Sequence, residues 1–158
     1  ITQAILKVGA VPVFAGVGGG LTTGKRSIDI ALQAELMGAY GVVVNAPTSN
    51  EVISKMSNRI DIPVIATVVS ECDDYKGKLD AGAKILNISG GPNTANIVRR
   101  IRNEYGRELP IIATGGPTKE SILETIEAGA NSITYTPPSS AKIFAGVMDQ
   151  YRHDQVSK

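Results

Sequence analysis

Gly115 and Gly116 stand between an apolar run, Ile111-Ile112-Ala113-Thr114, and a helical pattern that begins after Pro117-Thr118. Paired glycines before a helix let backbone N–H groups point outward with no Cβ in the way, and the helix adds the positive end of its dipole. The chemistry this suits is the holding of an anion, a phosphate group above all. A second stretch, Thr134-Tyr135-Thr136-Pro137-Pro138-Ser139-Ser140, also places small and hydroxyl residues before a helix. Two such junctions on neighbouring strands would grip a phosphate from both sides, although Pro137 and Pro138 offer no N–H there and leave the donating to Ser139 and Ser140. Thr114, Gly115, Gly116, Ser139 and Ser140 are therefore the expected phosphate-binding residues.

Acid–base chemistry has fewer candidates. Glu71 follows the apolar run Ile62 to Val69 closely and is the expected general acid/base, while Asp73 and Asp74 suit the first turn of a helix better. Asn45 closes Val42-Val43-Val44, and Asn87 lies in the run Lys84 to Ser89. An amide ending a buried strand needs a hydrogen-bond partner, from a neighbouring loop or from a ligand, so both are expected to orient a substrate.

Gly16 to Ser27 reads as a basic-tipped substrate loop, with Gly20, Thr22, Thr23 and Lys25 as its contacts. It completes neither nucleotide motif that it approaches. Arg26 occupies the magnesium-binding position of a P-loop, and the glycine spacing of a dinucleotide fingerprint is absent. A nucleophilic role for the single cysteine, Cys72, wants a nearby histidine, and the one histidine, His153, falls in a polar tail. No His-rich zinc spacing is present; a carboxylate-bound magnesium stays open, and no cofactor is required.

The 158 residues are one domain's worth, 42% apolar and 20% charged, with a net charge of +1. That balance gives no field for nucleic acid or an anionic membrane, and no apolar run is long enough to span a bilayer. One cysteine and no visible signal peptide point to the cytoplasm.

Periodicity predicts helices over 1–6, 27–37, 50–59, 74–80, 94–105, 119–127 and 141–151, and strands over 11–17, 40–45, 62–69, 84–89, 111–114 and 132–136. Within this alternation prolines 12, 63 and 110 open one class of strand, and Gly-Ala helix stops at Gly38, Gly82 and Gly129 precede the other. The intervals, about 44 to 51 residues, mark a βαβα unit present three times. A fourth copy would make the eight strands of a closed parallel barrel, so a quarter-barrel is expected upstream of Ile1. The fold expected is α/β, a parallel (β/α) barrel domain over 1–152 with a polar tail over 153–158. The alternative is an open, doubly wound parallel sheet. A barrel with unpaired edges would self-associate, so a homo-oligomer is expected.

Ile111 to Pro117, the Gly129-Ala130 stop and the hydroxyl-rich last strand resemble the closing quarter of the phosphate-binding (β/α)8 barrels. That superfamily includes barrels of the thiazole synthase, N-acetylmannosamine-6-phosphate epimerase and 2-keto-3-deoxy-6-phosphogluconate aldolase types. The resemblance implies phosphate contacts at Gly115 and Gly116, then at Ser139 and Ser140. It also places Asn87 where the aldolase carries its Schiff-base lysine, which argues against that chemistry; Lys84 lies at the wrong end of the strand. The function implied is an isomerase, epimerase or lyase acting on a small phosphorylated metabolite by proton transfer. The alternative is a barrel that senses or scaffolds such a ligand without chemistry.

Overall fold

The computed structural model describes residues 2–18, 22–136 and 139–156. Its elements, in chain order, are α1 (Thr2–Val8), β1 (Phe14–Gly18), α2 (Lys25–Leu36), β2 (Gly41–Val44), α3 (Asn50–Ser57), β3 (Val64–Val68), α4 (Tyr75–Asp80) and β4 (Ile85–Ile88). A single 3-10 turn (Gly91–Asn93) then leads to α5 (Thr94–Tyr105), β5 (Ile111–Thr114), α6 (Lys119–Glu127), β6 (Ser132–Thr134) and α7 (Ser140–Val156). Both halves of the repeat do what their residues require. Gly38, Gly82 and Gly129 leave their helices at φ 92°, 108° and 106°, a region closed to most side chains. Pro63 and Pro110 precede strands and give only their carbonyls to the ladder, accepting from Val42 and Leu86 at 3.0 and 3.2 Å.

All strand pairs are parallel and the order is β1-β2-β3-β4-β5-β6. Right-handed crossovers in an unreversed order put every connecting helix on the same side of the sheet. A doubly wound sheet needs a reversal of strand order, and this sheet has none, which removes the alternative expected from the sequence.

Burial follows the topology. On the helix side Ala15, Val42, Val44, Val64, Ala66, Val68, Leu86, Ile88, Ile111 and Ala113 form one core with Ala31, Ile53, Met56, Ile97, Val98 and Ile101. The opposite, inner face carries Gly16, Val43, Ile65, Thr67, Ile85, Asn87, Ile112, Thr114, Ser132 and Thr134, paired in rows across the strands. Ile65 is fully buried yet lies outside that core, as expected of a residue on the other face.

Two boundaries move with consequences. Lys25, expected in a loop, is the first residue of α2, because the chain turns into the helix at Gly24. The tail expected from 153 is helical as far as Val156, since nothing in the sequence of α7 breaks a helix before that point. Apolar residues Ile143, Phe144, Val147 and Tyr151 of α7 remain exposed, and β1 and β6 are the two sheet edges.

Candidate functional site

At the carboxyl end of β5 the chain meets α6 through Gly115, Gly116, Pro117 and Thr118. The Gly115 amide donates to the Thr134 carbonyl at 3.4 Å, which continues the β5–β6 ladder. A Cβ on Gly115 would lie 2.7 Å from Ile133 and 2.8 Å from Ile122, so packing alone demands glycine there. Gly116 has φ 77°, and a Cβ on it would lie 2.6 Å from Ser121 Oγ. Among the described residues nothing accepts from the Gly116 amide. Thr118 and Ser121 then cap α6 reciprocally: the Ser121 amide donates to Thr118 Oγ1 and the Thr118 amide to Ser121 Oγ, both at 3.2 Å. The caps engage two first-turn donors and leave the amides of Gly116, Lys119 and Glu120 without an acceptor among the described residues. Gly116, with Thr114 and Glu124, lines a cleft of about 430 Å³ between this turn and the start of α5. Thr118→Ala removes the cap and is expected to lower the unfolding free energy by about 1 kcal/mol, read from a urea midpoint.

The inner face behind this turn is neutral. Asn87 pairs with Thr67 across β4 and β3 and with Ile112 on β5. Its Nδ2 donates to Thr67 Oγ1 at 3.2 Å. Thr67 was not among the residues that the sequence singled out; its signal is a hydroxyl on the inward parity of an otherwise apolar strand, Val64-Ile65-Ala66-Thr67-Val68.

Asn45 continues the inward parity of β2, and its amide donates to the Gly18 carbonyl at 3.3 Å. With Thr22, Thr23, Ser27, Thr48 and Ser49 it lines a separate cavity of about 200 Å³. Lys78, only 5% exposed, braces that loop from α4 by donating to the carbonyls of Ala46 and Thr48 at 2.8 and 3.4 Å. Burial holds its ammonium below the ordinary value of 10.5, against weaker support from Asp73 and Asp74. As pH falls from 10.5 the unfolded chain therefore takes up this proton first, and stability declines until the folded chain takes it up too. Tyr75 and Lys76, whose pKa values are raised, act in the opposite sense in the same window. The contribution of Lys78 is therefore read as a difference: the slope of unfolding free energy against pH should be less positive in Lys78→Met than in the wild type.

The remaining candidates lie in loops and helix starts, not on the inner face of the strands. The Glu71 carboxylate accepts from Asn93 Nδ2 at 2.6 Å and lies 3.9 Å from Arg100, tied toward α5 in the helix layer. It is not brought together with Asn87, because Asn93 and Arg100 offer it nearer partners. Asp73 and Asp74 serve local turns, Asp73 accepting from the Val69 amide and Asp74 capping α4 through the Gly77 amide. Lys25 is exposed, and Gly20 lies outside the described residues. The Ser139 hydroxyl accepts from the Lys142 amide at 3.3 Å as the cap of α7, whose first residue is Ser140; both serines are exposed. No group of three or more His, Cys, Asp or Glu that could hold a metal occurs among the described residues. No described helix is long and apolar enough to cross a membrane.

No protein-family model matches this chain, and no curated protein matches it. Solved structures do. A mandelate oxidase with benzoyl-formic acid is similar at 17% identity and TM-score 0.69, over 85% of this chain and 51% of that one. A mandelate oxidase variant with 2-hydroxy-phenylacetamide gives TM-score 0.70 at 17% identity, over 85% of this chain and 51% of that one. Another variant, with a monooxide FMN adduct, gives 0.69 at 18% identity, over 84% of this chain and 50% of that one. The chain thus spans about half the length of the structures it matches. Unreversed parallel strand order, helices on one face and these matches together give the chain the fold of a TIM barrel, of which it carries six βα units.

Proposed function

We propose that the chain belongs to an enzyme acting on a small phosphorylated metabolite, with the phosphate held at the β5–α6 turn. The observation that carries this reading is the Gly116 amide, unused among the described residues and set beside the first turn of a capped helix at the ligand end of a barrel sheet. Thr114 borders the cleft; Ser139 and Ser140 lie outside its lining and would have to reach the phosphate from the neighbouring junction. Asn87 and Thr67 would orient the rest of the ligand from the inner face, and Asn45 would meet a part that reaches β2. Isomerase, epimerase or lyase chemistry by proton transfer is the reaction class this reading favours.

Flavin chemistry is a second reading, favoured by one specific observation: a matched mandelate oxidase structure contains an FMN adduct. FMN is itself a phosphate monoester, so the same turn suits its phosphate, and a neutral inner face suits an uncharged ring. When bound, a flavin supplies two-electron oxidation or reduction; the residues of this chain would hold and orient it.

Thermal unfolding in the presence of inorganic phosphate, glucose phosphate and FMN tests both. Stabilisation of several degrees by the phosphates, weakened in Gly116→Ala, is the expected result. Stabilisation by FMN with retention of visible flavin absorbance after desalting favours the second reading over the first. No stabilisation by any of the three overturns both.

A further inference from the structure

Among the described strands the Thr67–Asn87 pair is the only side-chain hydrogen bond on the inner face, and it faces away from the main core. Asn87 Oδ1 has no partner among the described residues, and no buried side-chain polar atom there lacks one, so Oδ1 is open to the interior of the barrel. The Thr67 hydroxyl accepts from Asn87 and keeps its own proton to donate. The pair therefore offers one acceptor and one donor side by side. Turning the amide over exchanges the roles, with Thr67 donating to Asn87 and Nδ2 left free, and the offer is again one donor and one acceptor.

Its surroundings restrict what can meet it. Ile65 and Ile85 lie in the row toward the amino ends of the strands, and Ile112 is the partner of Asn87 on β5. Among the described strands none of the inward-facing residues is ionisable. A carboxylate there would lose its hydration with no cation on the strands to replace it, whereas a neutral group would meet both of its hydrogen-bonding needs.

Thr114 stands two residues beyond Ile112, so strand spacing puts Asn87 about 8 Å from Thr114, and the turn to Gly116 follows directly after it. A phosphate ester with a short body spans that distance.

We infer that the ligand is a phosphate ester whose far end is a neutral cis-amide or imide, with a C=O and an N–H on the same edge, read by Thr67 and Asn87. The inference rests on the phosphate reading above and names the other end of the same ligand. A sugar phosphate with hydroxyls alone fills only part of the offer, and a phosphorylated acid is disfavoured.

The test compares probes that share a phosphate end and differ in the amide. These are uridine monophosphate against ribose phosphate, each titrated calorimetrically into the full chain. Uridine monophosphate should bind about tenfold or more tightly than ribose phosphate. Thr67→Val and Asn87→Leu should each erase that ratio, Thr67→Ser should keep it, and the affinity for inorganic phosphate should be unchanged in all three. A ratio near one, or a ratio that survives both variants, overturns the inference while leaving phosphate binding intact. Absence of binding by every probe and by inorganic phosphate instead overturns the phosphate reading and this inference with it. Because the readout is a ratio within one protein, partial loss of stability in a variant does not imitate the expected result.

Discussion

Gly116→Ala is expected to abolish most of the stabilisation that phosphate esters give, and to weaken the fold besides. The backbone at Gly116 sits at φ 77°, where an L side chain is strained. The added Cβ would also press on Ser121 Oγ, which accepts from the Thr118 amide and so holds half of the α6 cap. Strain and cap loss together should cost about 1–3 kcal/mol of unfolding free energy. The larger effect is on binding, because the amides around the cleft keep their direction only while the turn keeps its path. A ligand at about 100 times its dissociation constant adds about 2.7 kcal/mol to the wild type. The variant should gain little over its own ligand-free value. Ser121→Ala is the control, since it loses the cap without placing a Cβ at position 116. It should be destabilised by about 1 kcal/mol and still respond to phosphate.

Arg102→Met should have the opposite profile, a large loss of stability and an unchanged ligand response. Arg102 works at the amino ends of the strands, away from the cleft. Its Nε donates to the Gly129 carbonyl at 2.8 Å, and its terminal nitrogens donate to the carbonyls of Gly106 and Leu109 at 2.8 and 2.6 Å and to Asn131 Oδ1 at 2.6 Å. The same Asn131 oxygen accepts from the Ile111 amide at 2.8 Å, so one guanidinium ties the end of α5 to the starts of β5 and β6. Partial burial and the neighbouring Arg107 pull its pKa below the usual arginine range. Methionine keeps the stem and leaves these acceptors without their donors, an expected cost of about 2–4 kcal/mol by urea denaturation. Lysine should not rescue it, because a single ammonium cannot supply a planar fork of donors.

These two residues also show what a sequence discloses. The turn at 115–116 was legible because glycine pairs, a following cap and a helical period all sit within ten residues, and α5, β5 and α6 fall on their expected bounds. The repeat was legible for the same reason: each proline and each Gly-Ala stop is a local backbone requirement. Arg102 was not, since its partners lie between four and twenty-nine residues away and its role exists only once β6 has docked. Glu71 failed to join the candidate site for a similar reason. Its position behind a strand was read from local pattern, but its direction is set by Asn93 and Arg100, which arrive from the next βα unit. Thr67 gave a faint local signal and acquired meaning from Asn87 across the sheet.

The central claim is that a phosphate group is held by the turn at Gly116. Amide chemical shifts of the nitrogen-15-labelled chain, followed while inorganic phosphate is added, test it most directly. The account predicts saturable shifts at Gly116, Lys119 and Glu120, largest at Gly116. Saturable shifts confined to Lys25 and Arg26, or no saturable shift at Gly116, would contradict it.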